Sequence, residues 1–356
     1  MSTTTPTDLK RANDSEASVR PPAELARLTR DEVLLLSPVD RLNWFNRVQC
    51  KHSELNRVSK DLLELMSPTN SDRIVAVVGM TGIGKTTLAQ HLARSLYSRF
   101  WPDALPSDAP VLYVNAPANG ERSFSWRTLY QKILLASNEP DVEGKSAPTP
   151  EASFRRSDTV AATRESLNRM LRNRRVRVLI MDEAVHLLRH DSSDVVMDTL
   201  KSLADEGETK LLLLGPYDTA PMVHAYGQVV RRSSVLHFRR YKRESEPDRR
   251  EFLRVLEVLM GQWPSESVPN LSAIGDSVMR GSIGSVGLLK NALMSIAQQQ
   301  LQSRSELYKV EMLQKAFKPR RLLESIEQEA VRGEAMLSGA TYGDGFFSKD
   351  ELRATA

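Results

Sequence analysis

Cysteine is almost absent from this sequence of 356 residues, because Cys50 is the only one. A single cysteine excludes an intramolecular disulfide and any zinc site built from several thiolates. Long hydrophobic runs are also missing, so no segment is predicted to cross a membrane. The first residues contain no apolar stretch of the signal-peptide type. We therefore expect a protein of the reducing cytoplasm that does not engage a membrane.

Apolar residues make up 40% of the chain and charged residues 26%, a balance typical of a globular protein with a buried core. The length corresponds to more than one typical domain and to no more than two. Lysine and arginine number 49 against 45 acidic residues, so the net charge does not by itself indicate a nucleic-acid-binding protein. Basic residues are concentrated at 155–177 and 231–254. Such clusters either bind phosphates or form solvated helix faces.

The chain is organised as five successive segments. Residues 1–28 are polar and rich in Ser, Thr and Pro, which predicts a disordered arm. Residues 29–68 are predicted to form an N-terminal helical segment, because apolar residues recur at three- and four-residue spacing. Residues 69–245 alternate short apolar runs with amphipathic ones, and residues 246–318 have helical patterns only. Residues 319–356 form a C-terminal tail.

Five short runs of Val, Ile or Leu have the character of strands buried on both faces. They lie at 74–78, 111–115, 176–181, 211–214 and 235–238. Predicted helices alternate with them, which is typical of a doubly wound, mostly parallel sheet. We therefore predict an α/β fold with a five-stranded, mostly parallel sheet and a C-terminal all-helical lid domain.

A phosphate-loop motif directly follows the first predicted strand. Its residues are Gly79, Met80, Thr81, Gly82, Ile83, Gly84, Lys85 and Thr86. Glycines let backbone amides turn toward the α- and β-phosphates of a nucleotide, and the helix that follows adds its positive dipole. We expect Lys85 to reach the β- and γ-phosphates, Thr86 to coordinate Mg²⁺, and Thr87 to belong to the nucleotide-binding segment.

An acidic pair, Asp182 and Glu183, ends another of the apolar runs. Carboxylates at the end of a buried strand cost desolvation, so a functional role is favoured over surface charge. We predict that Asp182 holds the Mg²⁺ through water and that Glu183 polarises another water for attack on the γ-phosphate. The chain has no NKxD element for reading guanine. These features predict an ATPase whose cofactors are ATP and Mg²⁺.

Fast hydrolysis also requires a cation at the charge that develops on the γ-phosphate. Arg231 and Arg232 precede the fifth predicted strand, where a ring-forming ATPase offers an arginine finger to the nucleotide of its neighbour. The alternative is a solvated basic pair. A zinc site at His186 and His190 is disfavoured, because Leu187 stands where a zincin has its glutamate.

The chain resembles the AAA+ ATPases, because its phosphate loop, acidic strand end, five-strand core and helical lid follow one another in the order found in that family. In detail the chain resembles the transposition regulators of the TnsC/TniB type, over about residues 31–317. Four stretches carry the resemblance: SPVDRLNWFNRVQCKHSELNRVSKDLLELM, VLYVNAPANGERSFSWRTLYQKIL, VLIMDEAVHLL followed by LLLLGPYD, and GSIGSVGLLKNAL. The second stretch is the most discriminating, whereas a phosphate loop is common to many ATPases.

The resemblance implies ATP-dependent assembly into a homo-oligomeric ring or helical filament on double-stranded DNA. It also implies contact with a transposase and a target-selecting adaptor protein, with hydrolysis driving disassembly. The family's DNA contacts come mainly from the loop and helix after the second strand, which here contain Arg122, Ser123, Arg127 and Lys132. Contacts of this kind go to phosphates and are strongly salt-dependent with little sequence preference.

Two departures from the family pattern concern the rate of hydrolysis. Pro216 stands where AAA+ proteins usually have a polar residue that senses the γ-phosphate, and Tyr217 or Asp218 could take over that role. The expected arginine of the lid is replaced by Ser285, and Lys290 is the nearest cation. Two alternatives therefore stay open: an ATP-binding scaffold with little hydrolysis, and a signalling or remodelling AAA+ ATPase that does not bind DNA.

Overall fold

The computed structural model of the chain describes residues 22–25, 27–118, 124–138, 156–188, 193–221, 233–303 and 305–339. The chain divides into two units. The first, called here the helical unit, contains the described residues up to Lys51 together with Tyr241–Arg320. The second, called the sheet unit, contains the described residues of His52–Arg240 and those from Arg321 onward.

The elements of both units follow one another along the chain. The helices are α1 (Pro22–Leu25), α2 (Arg30–Leu34), α3 (Pro38–Arg47), α4 (Ser53–Leu65), α5 (Lys85–Phe100), α6 (Trp126–Ala136), α7 (Arg156–Asn173), α8 (Ser193–Gly207), α9 (Glu246–Gly261), α10 (Gly275–Gly281), α11 (Val286–Gln302), α12 (Val310–Ala316) and α13 (Arg320–Met336). The strands are β1 (Ile74–Val78), β2 (Val111–Asn115), β3 (Val178–Asp182), β4 (Lys210–Gly215) and β5 (Ser233–His237). Short 3₁₀ turns lie at Ala184–Leu188, Tyr217–Thr219 and Ser272–Ile274.

The sheet unit is built on five parallel strands in the order β2-β3-β4-β1-β5. The three inner strands are buried along their whole length, whereas the edge strand β2 alternates. Continuous apolar runs are what a parallel sheet covered on both faces requires. The predicted α/β fold with a five-stranded sheet is confirmed, and every strand pair is parallel.

Helices connect the strands, because parallel neighbours need a crossover. One face of α5 is fully buried through Leu88, Leu92 and Leu96, which recur every four residues and so lie on one side of the helix. This arrangement brings the carboxyl ends of β1, β3 and β4 to one edge of the sheet. Ligands of doubly wound sheets bind at that edge.

The helical unit has a core of its own around Phe45 and Trp263, whose rings meet edge to face with centroids 5.4 Å apart. Both side chains are buried, and the Trp263 indole donates to Gln300 Oε1 at 3.0 Å. The buried Arg41 makes a two-pronged contact with Glu306, with N–O distances of 2.8 and 2.7 Å. Residues of α3 are thus held by residues far along the chain.

These contacts explain a difference from the boundaries suggested by the sequence. Residues 29–68 were predicted as one segment, but the structure divides them after Lys51 between the two units. The predicted tail at 319–356 contains α13, for which the sequence analysis assigned no helix. Helical periodicity shows that a helix has an apolar face, but not which surface covers that face. Most of the predicted arm at 1–28 lies outside the described residues.

Within the described part of the chain, no helix combines the length and the apolar character needed to span a bilayer.

Lys290 provides a pH test of the helical unit. Its ammonium group donates to the Phe45 carbonyl and lies 3.8 Å from the centroid of the Phe45 ring. Burial lowers the pKa of Lys290 to about 7, whereas a free lysine has a pKa of about 10.4. Between these values the unfolded chain binds more protons than the folded chain, so stability rises with pH.

We expect the free energy of unfolding to rise by about 2 kcal/mol more in the wild type than in Lys290→Met between pH 7 and pH 9. Urea unfolding followed by circular dichroism at both pH values measures this difference. Other titrating groups contribute equally to both proteins and cancel. An identical pH dependence in the two proteins would show that Lys290 is protonated normally in the folded chain.

Candidate functional site

The phosphate loop turns between β1 and α5 at the carboxyl edge of the sheet. Gly84 adopts φ +111°, in the left-handed region that residues with a Cβ enter only at a cost. Helix α5 then begins at Lys85 without a side-chain cap from Gly84. Its first backbone N–H groups have no partner within the helix, and such a helix start is suited to bind an anion.

The Lys85 ammonium group folds back over the loop. It donates to the carbonyl oxygens of Gly79 and Met80 at 2.8 and 3.0 Å. Burial lowers the pKa of Lys85 to about 8, and the charges of Asp182 and Glu329 partly oppose this effect. Neutral carbonyls are weaker partners for an ammonium group than a phosphate oxygen is. The side chain is therefore placed to exchange these carbonyls for a phosphate.

Thr86 and Asp182 lie in direct contact, although they are far apart in the sequence. The Thr86 hydroxyl donates to Asp182 Oδ2 at 2.6 Å, and the backbone N–H of Glu183 donates to Asp182 Oδ1 at 2.8 Å. Asp182 is only 4% exposed. Hydroxyl and carboxylate oxygens are the groups that Mg²⁺ prefers in proteins, and the ion usually keeps several waters through which a nearby carboxylate can hold it. The two predicted metal ligands therefore fit the ion.

Glu183 differs from its neighbour in both backbone and exposure. Its φ of 55° lies in the left-handed region, which is uncommon for a residue other than glycine and is found at functional sites. Its side chain is 63% exposed, with Oε2 3.4 Å from His186 Nε2. The site thus has an exposed carboxylate beside a buried one, and the separate roles of Glu183 and Asp182 stay predictions.

The zinc alternative gains no support from the residues that the structure describes. Among them, no group of three or more His, Cys, Asp or Glu side chains could hold a metal ion. His186 pairs with Glu183, and His190 lies outside the described residues. Mg²⁺ held by Thr86 and Asp182 therefore stays the prediction for this site.

Tyr113 is a site residue that the sequence analysis missed. Its hydroxyl lies 3.0 Å from Asp182 Oδ2 and 3.0 Å from Asn115 Oδ1. Burial and the nearby Asp182 carboxylate raise the pKa of Tyr113 above its usual value. The pairing of β2 with β3 places Asn115 opposite Asp182. A sequence pattern that gives strands but not their order cannot reveal this neighbour.

The end of β4 shows which side chain approaches the phosphate loop. Tyr217 is 3% exposed, its hydroxyl lies 3.2 Å from His237 Nε2, and the Met80 backbone hydrogen-bonds to it. Burial raises the pKa of Tyr217 and lowers that of His237. Asp218 is exposed. Of the two side chains proposed to replace the missing polar residue, Tyr217 therefore contacts the loop.

The lid signature has structural roles within the helical unit. Ser285 is fully buried, and its hydroxyl accepts from the Leu288 backbone N–H at 3.2 Å, which caps the start of α11. Lys290 is held by the Phe45 carbonyl and ring. Neither contact was evident from the signature GSIGSVGLLKNAL alone.

The candidate DNA and arginine-finger residues are only partly described. Arg122, Ser123, Arg231 and Arg232 lie outside the described residues. Lys132 is exposed and Arg127 is half-buried on α6. A helix turns by about 100° per residue, so these two residues, five apart, point about 140° away from each other. They do not form one basic face.

Several arginines of the cluster at 155–177 are paired with acids of the same unit. The salt bridges join Arg164 to Glu206 at 3.2 Å, Arg175 to Asp108 at 3.4 Å and Arg177 to Glu208 at 3.6 Å. Exposed pairs of this type contribute little to stability. They do neutralise part of the cluster, which favours the solvated-face interpretation over phosphate binding.

The comparison with known protein families agrees with this geometry. Residues 69–223 match the family model described as AAA domain. The matched range includes the phosphate loop, the acidic pair and β1 to β4. The fold is that of an AAA+ P-loop ATPase.

Solved structures of this AAA+ fold resemble the chain at low sequence identity. The ORC2 protein of Aeropyrum pernix in its ADP form has a TM-score of 0.55 and 19% identity, over 76% of this chain and 68% of that chain. The ORC1 protein of Aeropyrum pernix in complex with DNA has a TM-score of 0.53 and 18% identity, over 80% and 67%. CDC6P from Pyrobaculum aerophilum has a TM-score of 0.51 and 16% identity, over 80% and 70%.

No curated protein matches the chain in sequence. At identities below 20% the solved structures share the fold and carry no statement about activity. The resemblance to regulators of the TnsC/TniB type therefore stays a prediction.

Proposed function

We propose that this AAA+ chain binds and hydrolyses ATP with Mg²⁺, and that ATP controls its assembly on double-stranded DNA as a regulator of transposition. One observation carries the nucleotide part of the proposal. Thr86 lies 2.6 Å from Asp182, and Lys85 is folded over the same loop. A loop that only turned the chain would not need a lysine, a hydroxyl and a buried carboxylate at one place.

Each residue of the site has a separate task in hydrolysis. Lys85 and the amides of the loop bind the phosphates, and Thr86 and Asp182 would hold Mg²⁺. When bound, the ion neutralises charge on the phosphate oxygens. Glu183 accepts the proton of the attacking water.

A neighbouring copy of the chain supplies the remaining cation in this proposal. Arg231 or Arg232 of that copy meets the charge that develops on the γ-phosphate. ATP then lies between two copies and joins them into a ring or a filament. Hydrolysis removes this link and drives disassembly.

The DNA part of the proposal rests on the resemblance. Four stretches of the sequence resemble transposition regulators of the TnsC/TniB type. The ORC1 protein of Aeropyrum pernix, which has the same fold, was solved in complex with DNA. The resemblance assigns contacts with DNA phosphates to Arg122, Ser123, Arg127 and Lys132. Because Arg127 and Lys132 point apart on α6, the test below uses the exposed Lys132 alone. A transposase and a target-selecting adaptor protein are the proposed protein partners.

Duplex binding across a salt series tests the DNA part. We expect binding that requires ATP and falls linearly on a log–log plot, with a slope of about −0.9 for each phosphate contact. Lys132→Gln should weaken binding to all sequences alike and reduce the steepness of the slope by about 1. Lys60→Gln removes the same charge from an exposed position on α4 and serves as the control. Fluorescence anisotropy of a labelled duplex is the measurement.

Two outcomes would separate the alternatives. If the chain binds ATP but no duplex even at low salt, it is a signalling or remodelling ATPase rather than a DNA regulator. If Lys132→Gln and Lys60→Gln have the same small effect, DNA is contacted elsewhere on the chain.

A scaffold that hydrolyses little ATP is the second candidate function. Ser285 stands where the family has an arginine and caps a helix, and Lys290 is held by Phe45. Without that arginine, less positive charge is available to stabilise the transition state. Phosphate release with and without DNA distinguishes the candidates, because a scaffold would assemble with ATP and release almost no phosphate.

A further inference from the structure

Helix α13, near the end of the described chain, belongs to the sheet unit and packs against its other elements. Ala330, Gly333 and Leu337 are buried at spacings of three and four residues, so they form a stripe on one face. Residues between them, such as Val331 and Ala335, are exposed. The helix and the turn that follows it therefore pack on the sheet unit through one narrow side.

The closest contact of that stripe is with Tyr217. A Cβ placed on Gly333 would lie 2.0 Å from Cγ of Tyr217 and within 2.5 Å of both neighbouring ring carbons. Only glycine allows the helix to approach the ring this closely. Tyr217 in turn accepts a hydrogen bond from the Met80 backbone in the phosphate loop. Helix α13 thus rests on the side chain that contacts the loop.

Two ion pairs fix the helix in this position. Arg240 Nε lies 2.9 Å from Glu334 Oε1, and both side chains are 12% exposed. A second nitrogen of Arg240 lies 3.7 Å from Glu327 Oε1. A pair withdrawn from water depends strongly on correct geometry. The docked position is therefore specific rather than a loose apolar contact.

A third carboxylate of α13 acts on the phosphate-binding lysine. Glu329 is exposed on the helix, and its negative charge raises the pKa of Lys85 and of Tyr217. The docked helix thus brings negative charge to the place where the phosphates of ATP bind. Negative charges repel each other, and salt screens this repulsion at an exposed side chain such as Glu329.

We propose that α13 is a built-in brake on the nucleotide site: docked on Tyr217, it lowers the affinity for a nucleoside triphosphate, and binding of the triphosphate releases it. This inference rests on the proposed ATP site at residues 79–86. Linkage makes the effect reciprocal: docking of α13 weakens ATP binding by the same factor by which bound ATP weakens the docking of α13. A change that detaches α13 must therefore strengthen ATP binding.

Gly333→Leu tests the proposal, because its side chain has no room against the Tyr217 ring and must detach the helix. Ala335→Leu places the same side chain at an exposed position of α13 and is the matched control. We expect Gly333→Leu to bind a fluorescent ATP analogue about 5-fold more tightly or better, with Ala335→Leu unchanged. Limited trypsin digestion at Arg332 should become faster in wild type when ATP is added.

A milder variant covers the case in which Gly333→Leu fails to fold. Glu329→Gln changes only an exposed charge, and we expect about 2- to 3-fold tighter ATP binding at ordinary ionic strength. Glu324→Gln, also exposed and five residues earlier on the helix, should leave ATP affinity unchanged.

The outcomes separate this inference from the proposed function. If the wild type binds no ATP, the proposed function fails. If the wild type binds ATP, the brake is overturned by variants that bind no more tightly, or by ATP that protects α13 from trypsin. Tighter binding in Gly333→Leu and Glu329→Gln, with unchanged controls, supports the brake.

Discussion

Lys85→Ala is expected to weaken ATP binding by at least about 100-fold, since it removes charge-assisted hydrogen bonds worth about 1.5–3 kcal/mol each. In the structure this ammonium group is held over the loop by two carbonyl oxygens, ready to exchange them for phosphate oxygens. Loss of ATP binding should also abolish assembly on DNA. Calorimetric titration with ATP and Mg²⁺ measures the affinity.

The control for this variant is Lys60→Ala, which removes the same charge from an exposed position on α4 and should bind ATP normally. Circular dichroism establishes that both variants are folded. A folded Lys85→Ala protein with wild-type affinity would show that the loop at 79–86 does not bind the nucleotide phosphates.

Glu183→Gln is expected to bind ATP normally and to hydrolyse it at least about 100-fold more slowly, because general-base catalysis contributes about 10²- to 10⁴-fold. Glutamine keeps the shape of the side chain, and the backbone at φ 55° is unchanged. Assemblies formed with ATP on DNA should then persist. Phosphate release and the lifetime of the DNA-bound assembly are the two measurements.

Glu208→Gln is a matched control for that experiment. Glu208 also has a positive φ, 51°, and an exposed carboxylate in the sheet unit, but it lies two residues before β4, whereas Glu183 directly follows β3. Its substitution should leave turnover unchanged. Normal turnover in Glu183→Gln would remove the assignment of Glu183 as the base and favour another proton acceptor.

The sequence predicts the parts of this molecule that depend on local patterns. Five short apolar runs give the strand boundaries to within two residues, because a strand buried on both faces must be apolar along its length. The glycine spacing around Lys85 gives the phosphate loop, since few other sequences allow that turn. Thr86 and Asp182 were assigned to one ion from separate motifs, and the structure places them 2.6 Å apart.

The parts that were not predicted depend on contacts between distant segments. Tyr113 approaches Asp182 only because β2 pairs with β3 in one register. The division of residues 29–68 after Lys51 follows from contacts such as that of Arg41 with Glu306. Helix α13 packs on Tyr217 through Gly333, and a glycine inside a helical pattern lowers the helix propensity on which a sequence-based assignment depends.

Tyr217 lies directly after Pro216, where the chain departs from the family pattern at the end of β4. From sequence, Tyr217 and Asp218 were equal candidates to replace the missing polar residue after β4. Burial distinguishes them, because Tyr217 is 3% exposed and Asp218 faces solvent. Tyr217 also links the phosphate loop to α13 and so connects the proposed hydrolysis site with the proposed brake.

Analytical ultracentrifugation of the wild-type chain with duplex DNA tests the central claim most directly. In parallel runs with Mg²⁺ and ATP, with Mg²⁺ and ADP, and without nucleotide, the account predicts large DNA-bound assemblies with ATP only. Monomers that sediment apart from the duplex are expected in the other two runs. DNA-bound assemblies of the same size in all three runs, or in none, would contradict the claim that ATP at the phosphate loop joins neighbouring copies on DNA.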